Sequence, residues 1–352
     1  MYNQFKGCVQ MQQSIFFGVW AVLWTSGCKQ KNSECVVGDA YTDSESSFVE
    51  KTDSWGLTGI NATGTRISAV DYDGDGWTDL FIRKNDSGDD FDANERNSWL
   101  LRNTGQGTFE DATESSGIRQ ARSLDTGRPG QVVAFADVDN DGDLDLYTGH
   151  NFSGDSVETS ELLLNNGDGT FSLGSEDNAV RENTVAQTAG ASFVDVDRDG
   201  YVDLWLGQAS AEQDRLLLNT GDGTASFSDV TNDWGLQTQS WTSIGTLNQA
   251  QGHSVSWSVH ACDLNNDGSP ELLAASYGRA PNHLWMSDGE TYANQSIASG
   301  YAFDENEDWT DNESARCWCA LHPTDDECAG VPEPSLIRCD SDEDAFRWSH
   351  SQ

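Results

Sequence analysis

The feature that most constrains the fold of this chain is an acid-dense loop that occurs four times. The copies read DYDGDGWTDL from Asp71, DVDNDGDLDL from Asp137, DVDRDGYVDL from Asp195 and DLNNDGSPEL from Asp263. Oxygen-bearing side chains stand at positions 1, 3, 5 and 9 of each copy, and glycine stands at position 6. Two carboxylates about 4 Å apart repel each other by roughly 4 kcal/mol at an effective dielectric near 20. A chain that repeats this spacing therefore needs something that neutralises it.

A bound Ca²⁺ ion at each loop is the neutralising element that the pattern favours, which predicts about four sites. Calcium takes oxygen ligands, and Asp or Asn side chains with a backbone carbonyl at position 7 supply them from one tight loop. Asp and Gly also form ordinary turns, but four copies at one spacing favour a metal. The predicted ligands are Asp71, Asp73, Asp75, Trp77, Asp79, Asp137, Asp139, Asp141, Asp143, Asp145, Asp195, Asp197, Asp199, Tyr201, Asp203, Asp263, Asn265, Asp267, Ser269 and Glu271.

The loops are not EF-hands, because an EF-hand needs a bidentate Glu at position 12 and helices on both sides. Position 12 is occupied by Ile82, Thr148, Leu206 and Ala274. Short runs rich in Val, Phe, Leu and Trp flank every copy, which predicts that each loop joins two strands.

The loop is part of a longer repeat, because the first ligands of successive copies lie 66, 58 and 68 residues apart. Each loop is followed by a hairpin signal, as in ELLLNNGDGTF and RLLLNTGDGTASF, in which glycines supply positive φ. A third element reads FVEKTDSWGL, FEDATESSGI and FSDVTNDWGL. A period near 60 residues with about four strands per unit is typical of a propeller blade. No helical segment of useful length is expected.

The segments SFVDVDRDGYVDLWLG and LLLNTGDGT resemble the FG-GAP/VCBS repeat, the calcium-loop unit of integrin α-subunit propellers and of many secreted bacterial proteins. FEDATESSGI is similar to an element of the subset related to cartilage acidic protein. The resemblance implies an all-β chain with β-propeller repeats over residues 48–299 and Ca²⁺ on the loops. It does not imply integrin function.

The number of blades departs from that family, whose propellers usually have seven. Four repeats are recognisable, and an acidic, Cys-rich segment follows at residues 300–352. We expect an incomplete propeller. A small closed ring, or a degenerate fifth blade in residues 300–352, are the alternatives.

The chain is strongly acidic, with 59 acidic residues against 19 Lys and Arg residues and a formal net charge of −40. Such a surface repels phosphate backbones, which excludes nucleic acid as a partner. An acidic, Gly-rich β-protein fits an extracytoplasmic location.

The N-terminal residues 1–27 are predicted to be a signal peptide. The apolar run Ile15–Trp24 is too short to span a bilayer but suits a signal sequence. LWTSGC resembles a bacterial lipobox, which implies a lipid on Cys28 and makes residues 28–47 a polar tether. A plain secretory signal and a retained segment are alternatives. The expected location is the cell envelope or the exterior, with membrane contact only through the lipid.

The remaining six cysteines suggest disulfides in an oxidising compartment. The candidates are Cys35, Cys262, Cys317, Cys319, Cys328 and Cys339. The last four lie close together in sequence with His322 among them, so a zinc site is the alternative to disulfides.

No catalytic motif is present in the sequence: there is no G-x-S-x-G, no H-E-x-x-H and no phosphate-binding glycine loop. We therefore expect a non-enzymatic surface scaffold for binding or adhesion, with an extracellular protein or a glycan as its partner. The alternative is a lectin or a polysaccharide lyase on the same scaffold.

Overall fold

The computed structural model describes residues 48–62, 64, 66–85, 96–122, 130–150, 159–181, 188–209, 212–240, 246, 249–276, 280–302, 313–335 and 338–341. Within these residues the fold is mostly β, with four sheets of four strands each. Strands that are consecutive in sequence are neighbours in the sheet, and every pair is antiparallel. This meander is the four-stranded unit that the repeat length predicts.

The strand bounds follow the order of the repeats. Sheet 1 contains β1 (Arg66–Val70), β2 (Asp79–Asn85), β3 (Arg96–Asn103) and β4 (Phe109–Asp111). Sheet 2 contains β5 (Gly130–Ala136), β6 (Asp145–His150), β7 (Glu161–Asn165) and β8 (Phe171–Leu173). Sheet 3 contains β9 (Thr188–Val194), β10 (Asp203–Gln208), β11 (Arg215–Asn219) and β12 (Phe227–Asp229). Sheet 4 contains β13 (Ser256–Cys262), β14 (Glu271–Ser276), β15 (His283–Ser287) and β16 (Tyr292–Asn294).

Each acidic loop joins the first two strands of its sheet. In all four sheets the residue before position 1 pairs with the residue at position 9, so the loop closes at the same point of the ladder. The pairs are Val70 with Asp79, Ala136 with Asp145, Val194 with Asp203 and Cys262 with Glu271. The strand–loop–strand arrangement confirms that these loops are not EF-hands.

Consecutive sheets pack face to face through buried apolar side chains. The side chains at these contacts include Leu100 and Leu146 between sheets 1 and 2, Tyr147 and Leu204 between sheets 2 and 3, and Trp205 and Leu272 between sheets 3 and 4. The indole Nε1 of Trp205 also donates a hydrogen bond of 3.1 Å to the carbonyl of Leu273 in the next sheet. The acidic loops therefore connect strands of sheets that pack against one another through buried apolar side chains.

A nine-residue helix follows the last sheet, which corrects the expectation that no helical segment of useful length would form. The described helices are α1 (Thr113–Ser116), α2 (Ser296–Ser299) and α3 (Glu313–Leu321), with 3₁₀ turns at Ala179–Arg181 and Asp326–Cys328. Helix α3 packs Ala315 and Trp318 against Val255 and Ala280 beside sheet 4. Nine residues are too few for a clear hydrophobic period, which is why the sequence pattern did not indicate this helix.

Two disulfides hold this C-terminal segment together: Cys317 bonds to Cys339, and Cys319 bonds to Cys328. With all four thiols in disulfides, none remains as a thiolate ligand for zinc, and the His322 ring instead stacks on Trp318 at 3.9 Å between centroids. The described residues 313–335 and 338–341 contain no strand, so a fifth sheet is not seen in that part of the segment.

Other expectations concern residues that the structure does not describe. The signal peptide (1–27), the tether (28–47), and Cys28 and Cys35 within it lie outside the described residues.

Cys262 is disulfide-bonded. Among the described helices, none has the length and hydrophobicity required to cross a bilayer.

Sheets 3 and 4 also share a buried carboxyl group, that of Asp214. It accepts hydrogen bonds from the Gln208 amide (2.8 Å) and from Ser256 Oγ (2.6 Å). Burial raises the pKa of Asp214 to about 7. Because the folded pKa lies above the unfolded one, the folded state binds the proton more tightly, and stability falls as pH rises from about 4 to about 7.

We expect Asp214→Asn to remove this pH dependence, because an amide cannot ionise and still offers an acceptor to Gln208 and a donor to Ser256. The stability difference between the variant and the wild type should grow in the variant's favour by about 4 kcal/mol between pH 4 and pH 8. Urea unfolding at fixed calcium measures it, with the exposed Asp233→Asn as the control. Parallel pH curves for Asp214→Asn and the wild type would contradict the expectation.

Candidate metal centres

The four acidic loops fold through one hydrogen-bond scheme. The backbone N–H of the glycine at position 6 donates to Oδ2 of the aspartate at position 1. These bonds join Gly76 to Asp71 (2.9 Å), Gly142 to Asp137 (3.0 Å), Gly200 to Asp195 (3.1 Å) and Gly268 to Asp263 (2.9 Å). The position-6 glycines have φ between 88° and 101°, a region that side-chain-bearing residues rarely adopt.

Positions 3 and 5 turn their side chains into the loop by the same local bonds. Oδ1 at position 3 accepts from the amide of position 5, and Oδ1 at position 5 accepts from the amide of position 7. In the third loop these are Asp199 N to Asp197 Oδ1 (3.1 Å) and Tyr201 N to Asp199 Oδ1 (2.8 Å). The other three loops repeat both bonds. One oxygen of each carboxylate or amide is thus used to shape the loop.

The acid at position 9 is buried and accepts a hydrogen bond from a backbone amide of its own loop. Asp203 accepts from the Val196 amide and from the Asn219 amide, both at 2.8 Å. Asp79 and Asp145 accept the equivalent pairs of bonds, and Glu271 accepts from the Leu264 amide at 2.7 Å. This residue therefore links the loop to the next hairpin of the same sheet.

Burial raises the pKa of these position-9 acids. The pKa of Asp79 rises to about 6, and those of Asp145 and Asp203 rise to about 7, because desolvation outweighs the bonds from backbone N–H groups. Nearby carboxylates of the same loop raise the pKa further. The pKa values of Asp137, Asp139 and Asp197 are also raised, first by desolvation. A bound cation would favour the ionised forms and relieve this repulsion.

The hairpin asparagines are site residues that sequence reasoning treated only as turn formers. Asn219 Nδ2 donates to the carbonyls of Val202 (3.2 Å) in its own loop and Val138 (2.8 Å) in the preceding loop. Asn165 makes the same pair of bonds to Leu144 and Tyr72. These side chains therefore tie each hairpin to two successive loops. The signal in the sequence was the Asn that opens each Asn-x-Gly-x-Gly hairpin.

The residue at position 4 of each loop is a second feature that the sequence analysis did not single out. In all four loops this residue has φ between 60° and 67°; the residues are Gly74, Asn140, Arg198 and Asn266. Asn140 Nδ2 donates to the Gly200 carbonyl of the third loop at 3.0 Å, and the Arg198 guanidinium donates to Ser269 Oγ of the fourth. Loops 2, 3 and 4 therefore form one continuous surface.

Three of the loops bring acidic oxygens together closely enough to share one ion. In the groups Asp71, Asp73, Asp79; Asp137, Asp139, Asp145; and Asp195, Asp197, Asp199, one oxygen from each residue lies within 4.8 Å of the others. Asp71 Oδ1 and Asp195 Oδ1 are buried and accept no hydrogen bond from the described residues. An all-oxygen donor set with a desolvated, unpartnered anionic oxygen fits a hard cation such as Ca²⁺.

The first and fourth loops differ from the other two, because protein donors contact their ligand oxygens. In loop 1 the Arg102 guanidinium bonds to Asp73 and lies 3.3 Å from Asp75 Oδ2. In loop 4, Asn265 Nδ2 donates to Asp267 Oδ2 at 2.8 Å and Glu271 Oε1 at 3.4 Å. No salt bridge or side-chain amide donor contacts the acids of loops 2 and 3 within the described residues. Among the described residues, protein groups therefore neutralise the acids of these two loops the least.

The position-7 residues, whose carbonyls were predicted as ligands, differ in exposure, and Ser269 is buried. Trp77 is 52% exposed, and its indole lies against Gly105 of the adjoining hairpin, where a Cβ would stand 2.5 Å from Nε1. Asp143 has a similar place beside Gly167. The glycines of the hairpin thus leave room for the loop side chains.

Comparison with known proteins identifies the repeats. The family model described as FG-GAP-like repeat matches residues 71–148 and 195–274, which begin at position 1 of loops 1 and 3 and end at position 12 of loops 2 and 4. No curated protein matches significantly. A solved structure of an Agrocybe aegerita lectin, described as specifically recognising non-reducing terminal N-acetylglucosamine, is 15% identical, with 69% of this chain and 68% of that chain covered and a TM-score of 0.35.

Proposed function

Because this chain is an FG-GAP repeat protein, we propose that it is an extracytoplasmic scaffold whose loops bind calcium and present a surface for another macromolecule. The observation that carries the proposal is the recurrence of one loop geometry, in which carboxylate oxygens converge and the buried oxygens of Asp71 and Asp195 have no partner in the described residues. Calcium would supply the missing positive charge and hold each loop against its sheet.

The four sites are proposed to differ in affinity. Loops 2 and 3 have clustered acids that no salt bridge or side-chain amide of the described residues contacts, so they are proposed to be the tighter pair. Loop 1 must displace Arg102, and loop 4 must displace the Asn265 amide. A further difference is that loop 4 has three acids, Asp263, Asp267 and Glu271, and therefore less negative charge.

We expect Arg102→Ala to lower the calcium dissociation constant of loop 1 about fivefold, since a partly exposed ion pair is worth up to about 1 kcal/mol. Isothermal titration of the wild type should show two tighter and two weaker sites, and the variant should move one site toward the tighter class. Arg338→Ala, which removes an exposed charge far from the loops in sequence, is the control. Four sites of equal calcium affinity, with no change in Arg102→Ala, would contradict the expectation.

The four sheets are proposed to be blades of a β-propeller. Their meander topology and face-to-face packing support this arrangement. Each buried cluster that joins sheets in the described residues joins consecutive ones, and Ile67 on β1 is 64% exposed, which favours an open arrangement of these four blades.

An extracytoplasmic location is supported by the disulfides Cys317–Cys339 and Cys319–Cys328, which persist in oxidising compartments. Anchoring through a lipid on Cys28 remains a proposal. The net charge of −40 argues against nucleic acid and in favour of an extracellular protein or a glycan as the partner.

Binding rather than catalysis is proposed for the loops, because their carboxylates are used in loop closure. The test is incubation of the calcium-loaded protein with acidic and neutral polysaccharides, with detection of unsaturated products. Calcium binding without product formation is the expected result. Product formation that is lost in Asp195→Asn would instead identify a lyase and overturn the scaffold proposal.

A further inference from the structure

A cavity of about 660 Å³ lies at sheet 4, and none of its lining residues belongs to an acidic loop. It is bounded by the chain after β12, the segment before β13, strands β15 and β16, and helix α2. This volume falls within the range of small-molecule binding sites, about 300–1,000 Å³. None of the predicted calcium ligands lines this cavity.

Four glutamine side chains line one part of the cavity: Gln237, Gln239, Gln249 and Gln251. Gln249 and Gln251 lie on either side of a turn at Ala250, whose φ is 50°, and Gln251 Nε2 donates to Gln249 Oε1 at 3.0 Å. The two glutamine-bearing segments are fastened to each other, because the Gln239 amide donates to the Gln251 carbonyl at 3.0 Å and the His253 amide donates to the Gln239 carbonyl at 2.9 Å. The backbone is therefore fixed while the amide groups are exposed.

No charged residue belongs to the described lining of this cavity. Since 22% of the chain is Asp, Glu, Lys or Arg, a lining of twelve residues would hold about two or three of them by composition alone. A neutral lining in so acidic a chain disfavours cations and offers no counter-charge to anions. The lining instead suits an uncharged ligand that both donates and accepts hydrogen bonds.

Trp285 also belongs to the lining, and 97% of this residue is buried in the core between sheets 3 and 4. Ile297 is 43% exposed and provides an apolar surface to the same cavity. Mixed apolar and amide surfaces match a sugar ring, which has C–H faces and a hydroxyl periphery.

We propose that this cavity, named here the amide cavity and formed around Gln239, Gln251 and Trp285, binds a neutral saccharide. The glutamine amides exchange hydrogen bonds with ring hydroxyls, and Ile297 contacts a C–H face of the sugar. The inference names a ligand class for the proposed scaffold and rests on that function, although the cavity shares no residue with the calcium loops.

The experiment uses the full chain in calcium on an array of neutral, sialylated and sulfated glycans, followed by titration with the neutral glycan that gives the strongest signal. The double variant Gln239→Ala/Gln251→Ala should raise the dissociation constant at least about tenfold. Gln106→Ala, an equally exposed glutamine on the first hairpin, should leave it unchanged. Ile297→Ser, which removes the exposed apolar side chain of the lining, should weaken binding in protein that melts like the wild type.

Absence of neutral-glycan binding, preference for charged glycans, or wild-type affinity in the double variant would overturn the proposal. So would binding of extended peptides to the cavity in place of sugars. Calcium titration of the same samples separates the two claims. Full calcium binding without glycan binding refutes only the amide cavity, whereas loss of calcium binding refutes the scaffold.

Discussion

Excess chelator should lower the melting temperature of this protein by about 6–12 °C. Extracellular calcium modules bind with dissociation constants of about 10⁻⁴–10⁻³ M. At free calcium tenfold above the dissociation constant, each site stabilises the fold by about 1.4 kcal/mol. Loops 2 and 3 alone would then contribute about 3 kcal/mol, which corresponds to that fall in a domain of this size. The physical reason is that removal of calcium leaves clustered, partly desolvated carboxylates such as Asp137 and Asp139.

A variant in which loops 2 and 3 each lose one ligand tests whether the effect of chelator on the melting temperature arises at these loops. Asp139→Ala/Asp197→Ala should melt in calcium near the temperature of the chelated wild type, and chelator should change it less. Asp168→Ala/Asp222→Ala removes two exposed hairpin acids with no ligand position and should keep the full chelator response. A melting curve that is the same with and without chelator would contradict structural calcium.

Replacing Asn219 with alanine should be among the most damaging single substitutions at the hairpins, at about 3 kcal/mol or more. The substitution leaves the carbonyls of Val138 and Val202 and the amide of Gly221 without their partner, in a site where Asn219 is only 3% exposed. Each buried group left unsatisfied costs about 1–3 kcal/mol. Urea unfolding in saturating calcium measures the effect.

The matched control for Asn219→Ala is Asn166→Ala, an exposed hairpin asparagine whose Nδ2 bonds only locally, to Thr170 Oγ1. Its effect should stay within about 0.5 kcal/mol. Asn219→Asp keeps the acceptor for Gly221 but lacks both donors, so it should also destabilise. Equal stability of Asn219→Ala and Asn166→Ala would mean that the contacts between neighbouring sheets do not depend on this side chain.

The repeating parts of the fold were predictable because their determinants are local. The spacing of Asp195, Asp197, Asp199 and Gly200 specifies the loop, and the flanking apolar runs specify the strands. The same holds for the hairpins, where Gly221 has φ of 67°. These signals lie within about ten residues of one another, so a single sequence contains them.

The difference between loop 1 and loops 2 and 3 was not predictable, because it depends on a contact between distant residues. Arg102 reaches Asp73 from 29 positions away, and Asn165 likewise reaches the Tyr72 carbonyl from 93 positions away. Loop 4 differs already in the sequence, where Asn265 replaces an acid. The disulfide pairing and helix α3 were also inaccessible, since six cysteines allow many pairings and the helix has little period of its own.

The most direct test of structural calcium is a crystal structure in millimolar calcium, with anomalous scattering used to locate the ions. We expect Ca²⁺ in loops 2 and 3, within about 2.3–2.6 Å of the oxygens of Asp137, Asp139, Asp195 and Asp197. Occupancy in loops 1 and 4 should be lower. Loops that keep their present hydrogen bonds with no anomalous peak at any of the four would contradict this expectation.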